Sequence, residues 1–526
     1  MSPRIRYLLS AFVLLAAGSR LVGLDTHPPG FFRDEADKGY TSYLLLKTGK
    51  DAAGKPYPLF ARSLRVTTSA LYQYVDIPFV AFFGLEERAV RLPAALAGCG
   101  AVLAVFLLAR RWWGSAIGLF AAGFLAVSPW HLLLSRWANQ SIFLTLWIPL
   151  GVLWFDCFLE SAHVWKKLAF GSLSALAFAL ALYTYAPARL FVPLFVAALV
   201  GLSAYYDRSF AKRAWLLLPV LLICVSAIPL ARHLLLESDE SSRRFQAISI
   251  FGAASGWETV WLFVKNYLAH FSPRFLFLGG DANPRHSVGF PGQIQLYLAP
   301  LLVIGIWRCV RHSGYRERLL LIWLLLFPVP AACTNEGIPH ALRSVFGLPV
   351  FQIISAIGIQ ELKDRVWVNW PRERIKLAAG LWTFCTGFLV LFFFYICFML
   401  YPLASQQYWE YGYRDAVRWR FDHQQEFPRA ILTGLSEYPE VFFLFYGTAD
   451  PETWIKTHEI PGVEFLQTGQ TMENRYRADE KGTAYLVRPG ELPGVVPKYV
   501  VHLYGGGMNP IWIWVGQPMT ISPANE

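Results

Sequence analysis

No Cys-X-X-Cys pair occurs in these 526 residues. The seven cysteines, Cys99, Cys157, Cys224, Cys309, Cys333, Cys385 and Cys397, lie almost entirely within or at the edges of apolar runs. That placement speaks against a disulfide framework and against a clustered-cysteine zinc site. The chain also lacks a solenoid-type repeat and a low-complexity tract. Its glycine cluster GGGMNP near Gly505 is not followed by a helix start with Lys-Ser/Thr, so it is no phosphate loop.

What the chain has is apolar length. Hydrophobic residues make up 55% of it, against about 45–50% in a soluble domain. They come in runs of roughly 18–22 residues, the length that crosses a hydrocarbon core. Twenty Trp and 24 Tyr supply interfacial aromatic belts. The formal net charge of +11 would suggest nucleic acid in a soluble protein. Here the basic residues sit mostly between apolar runs and read as topological signals, so no nucleic-acid partner is expected.

An N-terminal apolar segment follows Arg4 and Arg6 and reads as an uncleaved first helix with its N-terminus in the cytoplasm. Further spans are expected at 91–109, 116–134, 140–159, 168–185, 190–206, 214–232, 295–310, 318–333, 343–360 and 378–402. With the first helix this gives a polytopic α-helical membrane protein of about eleven transmembrane helices. Alternate connections carry Arg110–Arg111, Lys166–Lys167, Arg208 to Arg213, Arg308 to Arg318, and Lys363 to Lys376, all on the side of Arg4. That alternation holds only if 68–84, interrupted by Asp76 and Pro78, is an interfacial helix. Ala36 to Lys47 reads as a second surface helix. The expected domains are a membrane domain over 1–402, with a first outer loop at 25–90, and a small extracytoplasmic α/β domain over 403–526. In that tail AYLVRP and KYVVHLY read as strands and YRDAVRWRF as a helix.

The opposite face collects the chemistry. It carries Asp34–Glu35, Arg136 with Asn139, Arg243–Arg244, Arg285–His286, and His340 with Arg343. Carboxylates beside a bilayer read as functional, and Asp34 suits a general base that takes a proton from an acceptor hydroxyl. A helix N-terminal cap is the structural alternative for the acidic cluster. Outer-face arginines run against the positive-inside trend, and guanidinium groups clamp phosphate bidentately. Salt bridges to the loops' own carboxylates are the alternative. His286 and His340 match no known ligand spacing with Asp34 and Glu35, so no metal or other cofactor is expected. A divalent ion there is the alternative.

The acidic pair after the first helix, TGKDAAGKPYPLF, VRLPAAL, SPWHLLLSRWANQ, FSPRFLFLGGDANPRHS and PHALRS occur in an order that resembles the bacterial glycosyltransferase C superfamily. The branch is that of the protein O-mannosyltransferases and the lipid A aminoarabinose transferases, and the resemblance covers about residues 4–400. It implies inverting transfer of a sugar from a polyprenyl-phosphate carrier to an acceptor at the outer face of a bacterial inner membrane. Asp34 then matches the base and Glu35 the second acid. Arg285 and Arg343 match the donor-phosphate ligands best, with Arg136, His286 and His340 beside them. Where many relatives carry an Asp after the Ser-Arg that closes the third span, this chain has Asn139, an orienting group and not a base. The expected partners are the lipid-linked donor, an envelope lipid, glycan or protein acceptor, and membrane lipids. A glycolipid flippase and an oligosaccharyltransferase or ligase are the competing readings. A flippase would place its charges near the bilayer midplane on broken helices.

Overall fold

The computed structural model describes all residues except 1, 64–66, 208–213, 237–245, 253–254, 434–437, 468–469, 506 and 519–526. Arg243 and Arg244 lie outside the described residues. The chain divides into two compact units. One comprises Met1–Val22 with Ala94–Cys397, the other Gly23–Pro93 with Phe398–Glu526. The expected first outer loop is therefore grouped with the C-terminal segment.

The first unit is helical. Among the described residues, six helices of the chain are long and apolar enough to cross a membrane: Glu87–Trp113, Gln140–Glu160, Val164–Thr184, Ala188–Tyr206, Leu217–Leu236 and Arg372–Trp409. The first helix, α1 (Pro3–Leu21), joins this unit. The segment 116–134 is two helices, Ser115–Ala126 and Pro129–Leu134. Pro129 at the first position of the second supplies no amide to the preceding turn, which accounts for the break. Helices Leu298–Arg311, Tyr315–Leu326 and Gly347–Arg365 occupy the other three expected stretches.

The loops of this unit sort into two sets by their contacts. Arg111 pairs with Glu160 at 2.7 Å, Arg316 donates to Trp112 O at 3.1 Å, and Tyr206 donates to Ser313 O at 2.8 Å. These are connections carrying the basic residues. In the other set, Trp130 N donates to Gln293 O at 3.3 Å, Asn266 Nδ2 to Thr334 O at 2.8 Å, and Ala341 N to Asp281 Oδ2 at 2.8 Å.

The second unit begins with α2 (Arg33–Thr48), which ends on Gly49 at φ +69°, whose amide returns to Leu45 O at 2.9 Å. The following TGKDAAGKPYPLF turn is organised by Asp51. Its carboxylate accepts from the amides of Ala53, Lys55 and Arg62 at 3.0, 2.9 and 2.8 Å. Strands β1 (Phe60–Arg62) and β2 (Thr67–Ser69) pair antiparallel. Then comes α3 (Leu71–Phe83), whose 13 residues span only about 20 Å and fall short of a bilayer crossing. The helix α4 (Glu87–Trp113) starts in this unit.

The C-terminal part holds a five-stranded sheet. Its strands are β3 (Arg429–Leu432), β4 (Val463–Phe465), β5 (Thr483–Val487), β6 (Tyr499–Leu503) and β7 (Gly507–Gln517), in the order β4-β3-β5-β7-β6. β3 pairs parallel with β4 and β5, and β7 pairs antiparallel with β5 and β6. The helix Tyr413–Asp422 falls where YRDAVRWRF predicted it. Ile431, Tyr485, Val487, Val515 and Met472 form a buried core on the sheet.

Candidate active-site residues

The first turn of α2 separates two neighbouring carboxylates. Glu35 is fully buried and its oxygens are taken. Arg91 Nε donates to Oε1 at 2.9 Å, Arg91 Nη2 to Oε2 at 2.9 Å, and the Phe32 amide to Oε2 at 3.1 Å. Arg91 also donates to Leu24 O at 2.7 Å, Pro28 O at 3.2 Å and Gly30 O at 2.6 Å. It thus gathers the loop 24–30 and the start of α2 around one guanidinium. Asp34, one residue earlier, is exposed. Among the described residues no hydrogen bond or ion pair reaches its carboxylate.

Three features hold the turn that carries Asp34. The Arg33 amide donates to Glu410 Oε2 at 2.8 Å, and the Arg33 side chain to Glu410 Oε1 at 2.7 Å. Burial pushes Glu410 above the usual carboxylate range, against the opposing pull of Arg33. Gly30, at φ +83°, passes so close to the backbone of 409–411 that a Cβ there would stand 2.5 Å from Trp409 O. Asp34 therefore sits on a helix terminus whose amides bond carboxylates from two directions, and its own oxygens face outward.

The first unit carries the other expected residues. Asp281 Oδ2 accepts from His286 Nδ1 at 3.0 Å and from the Ala341 amide at 2.8 Å, and its Oδ1 from the Asn283 amide at 2.8 Å. Burial works to raise Asp281, but the contacts with His286 and these amides hold it below the usual carboxylate range. The His286 and His340 rings lie 5.0 Å apart. Burial, with His286 and Arg343 beside it, pushes His340 down to about 3, so its ring is neutral. Arg343 donates to Glu336 Oε2 at 2.6 Å and to Thr334 Oγ1 at 2.8 Å. Glu336 is itself 62% exposed, whereas the Arg343 side chain is largely buried. Arg285 is half-buried on the same segment as His286.

Two expected residues have settings that differ from an open ligand site. Arg136 donates to Ser19 O at 2.5 Å and Val22 O at 2.9 Å, closing the C-terminal end of α1, where cations are favoured. Asn139 accepts from the Ser141 amide at 3.0 Å and caps the short helix Gln140–Phe143, while its Nδ2 is buried with no hydrogen-bond partner. Sequence reasoning missed Arg91, Glu410 and Asp281. Arg91 stands in VRLPAAL, where the apolar run hid it. Asp281 stands in GGDANPRHS, and its position five residues before His286 was the available signal.

By sequence, residues 71–231 match the family model for dolichyl-phosphate-mannose-protein mannosyltransferase. No curated protein matches. Among solved structures the chain is similar to ArnT from Cupriavidus metallidurans bound to undecaprenyl phosphate, with TM-score 0.57, 13% identity and 98% of each chain covered. The apo state of the same ArnT gives TM-score 0.56 at 14% identity, over 97% of each chain. The archaeal oligosaccharyltransferase AglB from Archaeoglobus fulgidus, in complex with an inhibitory peptide and a dolichol-phosphate, gives TM-score 0.50 at 12% identity. That match covers 84% of this chain and 64% of AglB. The sequence match is confined to 71–231, whereas the likeness to ArnT, at 13–14% identity, is a likeness of fold over nearly the whole chain.

Proposed function

We propose that this chain is an inverting glycosyltransferase that moves a sugar from a polyprenyl-phosphate carrier to a hydroxyl of an envelope lipid, glycan or protein. The observation that carries the reading is the exposed Asp34 carboxylate on a helix turn held by Glu35–Arg91 and Glu410. In the proposed step the acceptor oxygen attacks the anomeric carbon and its proton passes to Asp34. The bond from that carbon to the phosphate oxygen breaks, and the lipid phosphate leaves as an anion. Arg285 and Arg343 stabilise the charge on the departing phosphate. A phosphate leaving group needs no general acid, so a single free carboxylate suffices. Glu35 then serves as a positioning residue, because both its oxygens are engaged. The chain sits in a bacterial inner membrane with its N-terminus in the cytoplasm and its C-terminal sheet outside. The helices outside the set of six that are long enough to span complete about eleven crossings. The reaction as proposed needs no metal.

The test compares envelope glycans and glycoproteins by mass spectrometry in cells lacking the gene, complemented with wild type or with Asp34→Asn. A sugar-sized mass restored by wild type alone supports the reading. Restoration by both forms refutes Asp34 as base.

A further inference from the structure

Asp281, His286 and His340 are all buried, and one donor atom from each lies within 4.8 Å of the other two. A hydrogen-bonded His286–Asp281 pair accounts for two members of this group. It leaves the third unexplained, since His340 Nδ1 is buried with no hydrogen-bond partner. A buried polar atom without a partner is destabilising by about 1–3 kcal/mol.

Two imidazoles and one carboxylate are a donor set that zinc takes in tetrahedral sites, with a fourth position left for water. The surrounding contacts are of the kind that orient metal ligands. Asp281 is fixed through both oxygens by the Asn283 and Ala341 amides. Gln293 Nε2 donates to His286 O at 3.2 Å. The His340 amide donates to His270 Nε2 at 3.0 Å, and its carbonyl accepts from Ser344 Oγ at 2.7 Å.

We propose that Asp281, His286 and His340 bind one zinc ion. The ion joins the 281–286 segment to the segment at 340, and so fixes the backbone that carries Arg285 and Arg343. The proposal concerns binding alone and does not rest on the transfer reaction.

The full chain, purified in detergent and stripped with EDTA, is titrated with zinc chloride. Metal content is read by mass spectrometry and stability by thermal unfolding. The expected result is one zinc per chain and a rise in the unfolding midpoint. Asp281→Asn and His340→Gln should each lose both effects. Cobalt substitution on the wild-type chain gives a second readout, the visible absorption of a tetrahedral nitrogen- and oxygen-ligated ion, which stands even if a variant fails to fold. Substoichiometric zinc on wild type without a midpoint shift overturns the proposal. So does equal zinc on wild type and on folded variants. Each of these outcomes is independent of whether Asp34→Asn abolishes transfer.

Discussion

Asp34 and Glu35 share a turn and a charge, yet their surroundings differ: Glu35 is buried against Arg91 and Asp34 is exposed. Asp34→Asn should lower transfer by roughly 10²–10⁴-fold, the usual share of a general base, with unchanged amounts of protein in the membrane. In vitro turnover of a polyprenyl-phosphate sugar measures it. Glu35→Ala should instead be destabilising, because it strands the buried Arg91. Losing one partner of a buried ion pair typically costs about 3–5 kcal/mol, and thermal or denaturant unfolding in detergent reads the loss. Asp76 makes a third case. Burial raises it well above the usual carboxylate range, against the weaker pull of the Ser42 hydroxyl. The folded chain therefore holds a proton at Asp76 where the unfolded chain does not. This contribution is full below the unfolded pKa and falls as pH rises from there toward the raised value. Asp76→Asn should flatten that part of the stability–pH curve, and unfolding midpoints across that window check it. The acidic cluster was legible from composition. The different settings of its members were not, because Arg91, which holds Glu35, lies 56 residues away in sequence.

At the level of elements, α2 starts at Arg33, three residues before the apolar periodicity begins at Ala36. Its start is decided by amide bonds to Glu35 and Glu410, the second of them 377 residues distant. Such a cap leaves no trace in local spacing. Glu410→Ala should lower turnover while leaving the Michaelis constant for the donor unchanged, since Glu410 positions the turn that carries Asp34. Steady-state kinetics with varied donor separates the two. In the sheet, β5 and β6 were readable as strand-like apolar runs. β3 and β4 have only four and three residues, too few for a period to show. β7 carries Pro510, which interrupts a strand pattern, and its pairing with β6 shifts register beside it.

For the whole molecule, the succession of apolar helices and basic connections was open to reading because membrane length and charge bias act on composition directly. The proposed donor contacts are Arg285 and Arg343. Arg343→Ala and Arg285→Ala should raise the donor Michaelis constant more than they lower turnover, because both are proposed to hold the donor phosphate. Donor titrations on each variant decide this. The sets of touching loops could not be read from sequence, since contacts such as Asp281 with Ala341 join segments 60 residues apart.

The Arg91 clamp bears on how this chain tolerates change over generations. One guanidinium holds three carbonyls of the 24–30 loop together with Glu35. A neutral replacement at 35 is therefore bearable only alongside a compensating replacement at 91. Across sequences that share this arrangement, positions 35 and 91 should drift as a pair, whereas position 34 should stand fixed whatever happens around it.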